Sequence, residues 1–129
     1  MKKTKSSTIE VQGTAITVLS QTDEDYISLT DIARFKDSER TDYIIQNWLR
    51  NRNTIEFLGV WERLNNPGFN PIEFDGIRKQ AGLNSFVLTA KRWIGATHAI
   101  GLISKAGRYG GTYAHKDIAF EFTSMEFRP

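Results

Sequence analysis

The side chains best placed to do chemistry gather between residues 89 and 116. Lys91 and Arg92 fall in the first turn of an expected helix starting near Thr89, and Lys105 and Arg108 fall at the tip of an expected hairpin. A polyanion needs such cations to displace its counterions, and a thin element to enter a groove. The N-terminal N–H groups of the helix add anion donors. Gly107, Gly110 and Gly111 lack a Cβ that would hold backbone away from a phosphate. Thr97, Tyr109, Tyr113 and His115 add neutral donors for phosphates or base edges, and Lys116 adds a further cation. A helix packed against a basic hairpin is winged-helix geometry, which favours duplex DNA over RNA. The plainer alternative is a tight turn with solvated lysines.

Charge distribution sharpens this reading. The chain has 129 residues and a net charge of only +2. Residues 76–116, however, carry Arg78, Lys79, Lys91, Arg92, Lys105, Arg108 and Lys116 and no acid, whereas residues 6–75 carry 6 basic and 12 acidic side chains. An acid-free basic stretch is an electrostatic footprint for a polyanion, unless the acidic half neutralises it in the fold.

The elements that must position these residues follow from periodicity. Residues 1–7 read as a flexible basic tail and residues 8–129 as the domain. Ile9, Val11, Ile16 and Val18 alternate with polar residues across Gly13, predicting two strands and a turn; Tyr26 to Leu29 fits a third. Ser28 and Asp31 form a helix start, with the helix ending near Asp37. Ile44, Ile45, Trp48 and Leu49 share one helical face. Phe57, Val60, Trp61 and Leu64 repeat that pattern, with Thr54 as the expected N-cap. Asn70, Pro71 and Glu73 open another helix, which buries Phe74, Ile77 and Ala81 and ends at Gly82. The helix from Thr89 is expected to bury Trp93, Ile94 and Ile100 and to stop at Gly101. Strands at 102–104 and 112–114 flank the hairpin tip, and Ile118, Phe122 and Met125 mark a terminal helix. The three tryptophans, Phe69 and Phe86 read as core rather than stacking platforms. The expected fold is one α+β domain with an N-terminal antiparallel β-meander, a helical middle and a C-terminal β-hairpin wing.

Several runs resemble the KilA-N domain of bacterial and phage proteins. They are Tyr-Ile-Ser-Leu-Thr-Asp-Ile-Ala-Arg (26–34), Thr-Ile-Glu-Phe-Leu-Gly-Val-Trp-Glu (54–62), Phe-Asn-Pro-Ile-Glu-Phe-Asp-Gly (69–76), Ala-Gly-Leu-Asn-Ser-Phe (81–86), and the segment 104–122 around Gly-Arg-Tyr-Gly-Gly-Thr-Tyr-Ala-His-Lys-Asp. The last is the most specific, and is also similar to the wing of fungal APSES transcription-factor domains. The resemblance runs from about residue 8 to residue 122. It implies a winged helix-turn-helix fold and DNA binding by a phage- or mobile-element-related regulator. It implies a wing of Lys105, Arg108, Tyr109, Gly110, Gly111, Thr112 and Tyr113. Family members usually continue beyond the Phe-Glu-Phe helix, whereas this sequence stops at Thr-Ser-Met-Glu-Phe-Arg-Pro.

The expected partner is double-stranded DNA, with a homo-oligomer or protein partner left open. No cofactor, membrane or small-molecule substrate is expected. With no cysteine, disulfides and cysteine zinc sites are excluded, and a cytoplasmic, nucleoid-associated location is expected. Two rival readings use other residues. His98, His115, Asp117 and Glu121 would serve a metal-dependent nuclease, but no H-E-x-x-H, phosphate-binding loop or nucleophile elbow accompanies them. A protein-interaction module would instead use the acidic half, with the strands at 9–18 as an open edge.

Overall fold

The computed structural model describes residues 5–21, 24–107 and 110–127. It is an α+β arrangement of a five-stranded antiparallel sheet and, among the described residues, six helices. The chain begins with a meander: β1 (Lys5–Val11), β2 (Thr14–Gln21) and β3 (Glu24–Ser28). Gln12 and Gly13 join β1 to β2 with φ of 51° and 81°. Two successive positive φ values define the turn whose twist matches a right-handed hairpin, and glycine adopts one without strain. Residues 5–7 belong to β1, so the expected tail loses them to the sheet; residues 1–4 lie outside the described residues.

Five helices follow before the second hairpin and one after it. The Ser28 hydroxyl caps α1 (Leu29–Lys36) by accepting from Asp31 N at 3.0 Å. α2 (Thr41–Leu49) buries Ile44, Ile45, Trp48 and Leu49, as their spacing predicts. In α3 (Arg52–Asn65) the cap and the face both differ from expectation. Asn51, not Thr54, accepts the capping hydrogen bond, from Asn53 N at 2.8 Å. Thr54 is an interior residue with no exposure. The buried face is Thr54, Ile55, Leu58, Gly59, Trp61 and Glu62, while Phe57, Val60 and Leu64 are exposed. The cause is packing: the Phe74 ring occupies the space where a Cβ on residue 59 would sit. That contact turns the Gly59 side of α3 inward. α4 (Pro71–Gln80) is capped by Asn70, which accepts from Ile72 N and Glu73 N at 3.1 Å each.

α5 (Ala90–Thr97) ends earlier than its apolar pattern suggests, because His98 takes a left-handed conformation with φ 58°. Ile100 is therefore not a core residue but is 45% exposed. β4 (Leu102–Lys105) and β5 (Gly111–His115) then form the second hairpin, and α6 (Lys116–Glu126) closes the described chain. The sheet order is β1-β2-β3-β5-β4. Helices cover one sheet face over a core that includes Trp48, Leu58, Trp93, Ile118 and Phe122. Leu19, Tyr26 and Tyr113 form a smaller cluster on the other face. Phe69 and Phe86 are buried, as expected.

Candidate nucleic-acid interface

α5 is built as a rigid rod. The Thr89 hydroxyl caps it by accepting from Arg92 N at 3.1 Å. Trp93, with no exposure, anchors it against Phe69 and Phe74, with ring centroids 6.1 and 5.9 Å away. Thr97 is also fully buried, and its hydroxyl donates to Trp93 O at 2.6 Å. It is therefore a helix residue of the core and presents no donor to a ligand.

The link from α5 to β4 is held by a buried carboxylate that carried no signal in the sequence. Glu62 has no exposure; it accepts from Ile100 N at 3.0 Å, Gly101 N at 2.7 Å and the Asn66 side-chain amide at 2.9 Å. Asn66 also donates to His98 O at 2.8 Å. These bonds satisfy backbone groups that the early end of α5 leaves unpaired. Gly101 fits closely here, since a Cβ would lie 2.5 Å from Ile118 Cδ1 and 2.8 Å from Glu62 Oε2 and would force those side chains to shift. From the sheet side, the Tyr26 hydroxyl donates to Ile100 O at 2.8 Å. Its burial, with Glu62 and Glu24 nearby, raises the Tyr26 pKa above the ordinary phenol value.

The second hairpin pairs Leu102 with Ala114 and Lys105 with Gly111. Thr30, another residue the sequence reading missed, ties it to α1: its Oγ1 accepts from Thr112 N at 3.0 Å. Thr30 also explains Gly111, where a Cβ would meet that oxygen at 2.8 Å. At Gly110 a Cβ would collide with the Lys105 and Ala106 backbone. Both glycines thus serve the hairpin's own packing, before any question of a phosphate. Thr112 is half-buried. Tyr113 is buried, and that burial, with Asp31 beyond, raises its pKa. His115 is buried too; Nδ1 accepts from Asp117 N at 3.2 Å and Nε2 lies 2.6 Å from Glu24 Oε2. A proton on Nε2 satisfies both contacts. Tyr113 and His115 thus face inward, while Arg108 and Tyr109 lie outside the described residues.

The seven cations of the acid-free stretch separate into groups. Arg78 and Lys79 are neutralised, lying 2.8 and 3.2 Å from Asp75, with Arg78 also 3.8 Å from Glu56. Among the described residues, Lys91, Arg92, Lys105 and Lys116 form no ion pair and are exposed. Lys91, Ile94 and Gly95 of α5 line one groove of about 420 Å³ with Leu102, Ile103 and Ser104 of β4. Lys105 is the next residue along. Arg92 faces a neighbouring hollow with Leu83 and Val87, its guanidinium donating to Val87 O at 3.0 Å. Lys116 lies beyond the far end of β5, about 16 Å from Gly111 at 3.3 Å per residue. Lys91 therefore lines the groove, Lys105 follows Ser104 of its β4 wall, Arg92 lies in the neighbouring hollow, and Lys116 lies at the other end of the hairpin. Of the rival ligand set, His115 is already engaged by Glu24 and Asp117, and no group of three described His, Asp or Glu residues is placed to hold a metal ion.

Fold and edge together define a class: a small α+β domain that presents unpaired cations on a helix and an adjoining hairpin. The sequence model of the KilA-N domain matches residues 9–129, and the chain belongs to that family. KilA-N domains are commonly DNA-binding domains and are not typically enzymes. Among curated proteins and solved structures, none matches the chain. No helix among the described residues is long and apolar enough to cross a membrane.

Proposed function

We propose that this chain is a non-enzymatic, winged-helix-like regulator that grips duplex DNA through α5 and the β4–β5 hairpin. One observation carries the reading. The acid-free stretch leaves Lys91 and Lys105 without ion pairs beside the α5–β4 groove, whereas Arg78 and Lys79 of α4 are paired with Asp75 and Glu56. Lys91 and Lys105 supply phosphate contacts, α5 supplies a rod that fits a major groove, and Arg92 supplies a donor fork at its start. Lys116, half-buried Thr112 and the hairpin turn lie around this centre. Buried Thr97, Tyr113 and His115 act by holding the frame. A phage- or mobile-element-related role in transcription, inside the cell on the nucleoid, fits such a domain.

The test is fluorescence anisotropy on a labelled duplex across a salt series. Wild-type affinity should fall steeply as salt rises. Lys91→Ala and Lys105→Ala should each lower the salt slope by about one. Lys79→Ala should leave it unchanged, because Asp75 already neutralises that ammonium. Equal slopes for Lys79→Ala and Lys105→Ala would remove the distinction on which the reading stands.

A further inference from the structure

β1 is an outer strand of the sheet, and all seven of its residues are exposed. Its free edge follows from the hairpin. A two-residue turn closes on a pair, Val11 with Thr14, that exchanges hydrogen bonds. Bonding then alternates along the ladder, so Lys5, Ser7, Ile9 and Val11 bond to β2. The N–H and C=O groups of Ser6, Thr8 and Glu10 point away from it. The same strand borders an open apolar groove of about 370 Å³, lined chiefly by Ile9, Val11, Ile16, Ile32, Phe35 and Phe127. Ile9 and Val11 are each about half exposed there. A strand edge and an apolar floor side by side are what a further strand needs.

We propose that the occupant is a second copy of this chain, with β1 pairing antiparallel to β1 about a two-fold axis at Thr8. Paired residues must point to the same sheet face, which restricts two-fold registers to those centred on a residue. Only the centre at Thr8 pairs all seven residues of β1. It sets Thr8 against Thr8, Ser6 against Glu10, Ser7 against Ile9 and Lys5 against Val11. On the face away from the helices, threonine meets threonine and a serine hydroxyl meets a carboxylate, both favourable cross-strand pairs. On the groove face, the two Ile9 side chains become diagonal neighbours and close the two grooves against each other. The charges agree as well. Lys5 and Glu10 lie near opposite ends of the strand, so neither faces its own copy. Seven paired residues and a groove rim form a small interface by the standard of stable complexes, so the dimer is reversible and concentration-dependent. The proposal does not rest on DNA binding, and its test uses no DNA.

The chain contains no cysteine, so a single one reports cleanly. In the proposed register Thr8→Cys brings two sulfurs together across a hydrogen-bonded pair, whose Cα separation of about 5.5 Å permits a disulfide. Mild oxidation should give a covalent dimer of Thr8→Cys, whereas Ser85→Cys, exposed after α4, should stay monomeric. Light scattering on wild type should show a mass rising from 14.7 kDa towards twice that value as concentration goes from low micromolar to near-millimolar. Thr8→Pro removes one outward N–H and no bond to β2, so it should keep the wild-type circular dichroism and stay at 14.7 kDa. The proposal fails if wild type stays monomeric throughout, if folded Thr8→Pro dimerises like wild type, or if Ser85→Cys crosslinks as readily as Thr8→Cys. If Thr8→Pro unfolds, the two cysteine variants decide alone. A monomeric wild type whose groove takes up an apolar fluorophore would assign it to a small apolar ligand, and would also overturn the proposal.

Discussion

The two edges of the sheet are built on opposite plans. The β4 edge is four residues long, ends in Lys105 and lies against α5, and its neighbours are fixed by buried polar bonds from Glu62, Asn66 and Tyr26. The β1 edge is seven residues long, is exposed throughout and rests on an open apolar groove. A short, charge-ended, helix-flanked edge resists a further strand, whereas a long uncovered one invites it. The difference teaches that the two ends of one sheet are held by different means: buried polar bonds at β4, and pairing to β2 at β1. One end is braced and carries Lys105, and the other has no further strand beside it among the described residues. A dimer through β1 would place two braced edges at the far ends of one sheet, which links self-association to avidity for DNA.

The braced edge should be the more fragile to internal change. Glu62→Ala leaves the Ile100 and Gly101 N–H groups and the Asn66 amide without their acceptor, at about 1–3 kcal/mol per buried group. A loss of about 3–5 kcal/mol in a urea titration is expected, with the groove between α5 and β4 disordered first. Trp93→Ala, which removes the α5 anchor, should cost about 3–5 kcal/mol for a large buried aromatic. Ile9→Ala at the other edge should cost well under half of either, because half of that side chain is already in water. Similar losses at Ile9 and Trp93 would erase the contrast between the edges.

A methyl group added at each edge sharpens it further. Gly101→Ala drives a Cβ into Ile118, Glu62 and Trp61, and overpacking of that kind costs about 1–3 kcal/mol. Gly13→Ala meets nothing within 4 Å but must hold φ near +81°. Its cost should be about 1 kcal/mol and confined to the β1–β2 hairpin. Amide hydrogen exchange separates the two: the first substitution should loosen α5 and β4, and the second β1 and β2.

How much of this could be read in advance differs between the edges for physical reasons. The meander was legible because period-two alternation and Gly13 are local signals, and the caps at Ser28, Asn70 and Thr89 are local as well. The face of α3 was not. Phe57, Val60 and Leu64 have helical spacing as good as that of the true core face, and only the approach of Phe74 to Gly59 decides between them. The end of α5 was misjudged for a related reason. Ile100 continues the apolar pattern, while the bonds that stop the helix come from Glu62, 38 residues away. Thr97, Tyr113 and His115 looked like donors for a ligand because their types suit one. Burial, which types do not encode, turns them inward. The charge pattern gave the basic segment but could not separate Arg78 and Lys79 from Lys91 and Lys105, since that depends on where Asp75 and Glu56 fall.

That separation yields the smallest effect and the finest test of what makes an edge basic. Asp75 lies against Arg78 and Lys79, and their hydrogen bonds and positive charges hold its carboxyl below the ordinary carboxylate range. The same contacts raise the Arg78 pKa. A carboxyl depressed in the fold contributes at pH values above its unfolded pKa, and that contribution is lost as pH falls through the depressed value. The group is solvent-exposed, so Asp75→Asn should leave the melting temperature nearly unchanged. It should, however, release Lys79 on α4 and leave Arg78 with Glu56 as its remaining partner. If only cations beside the α5–β4 groove reach phosphate, duplex affinity should rise less than threefold, through long-range attraction that vanishes above physiological salt. A rise of tenfold or more, with the salt slope steeper by about one, would mean that α4 also touches DNA. The interface would then extend from the braced edge across the α4 face, and pairing by Asp75 would be what restrains it.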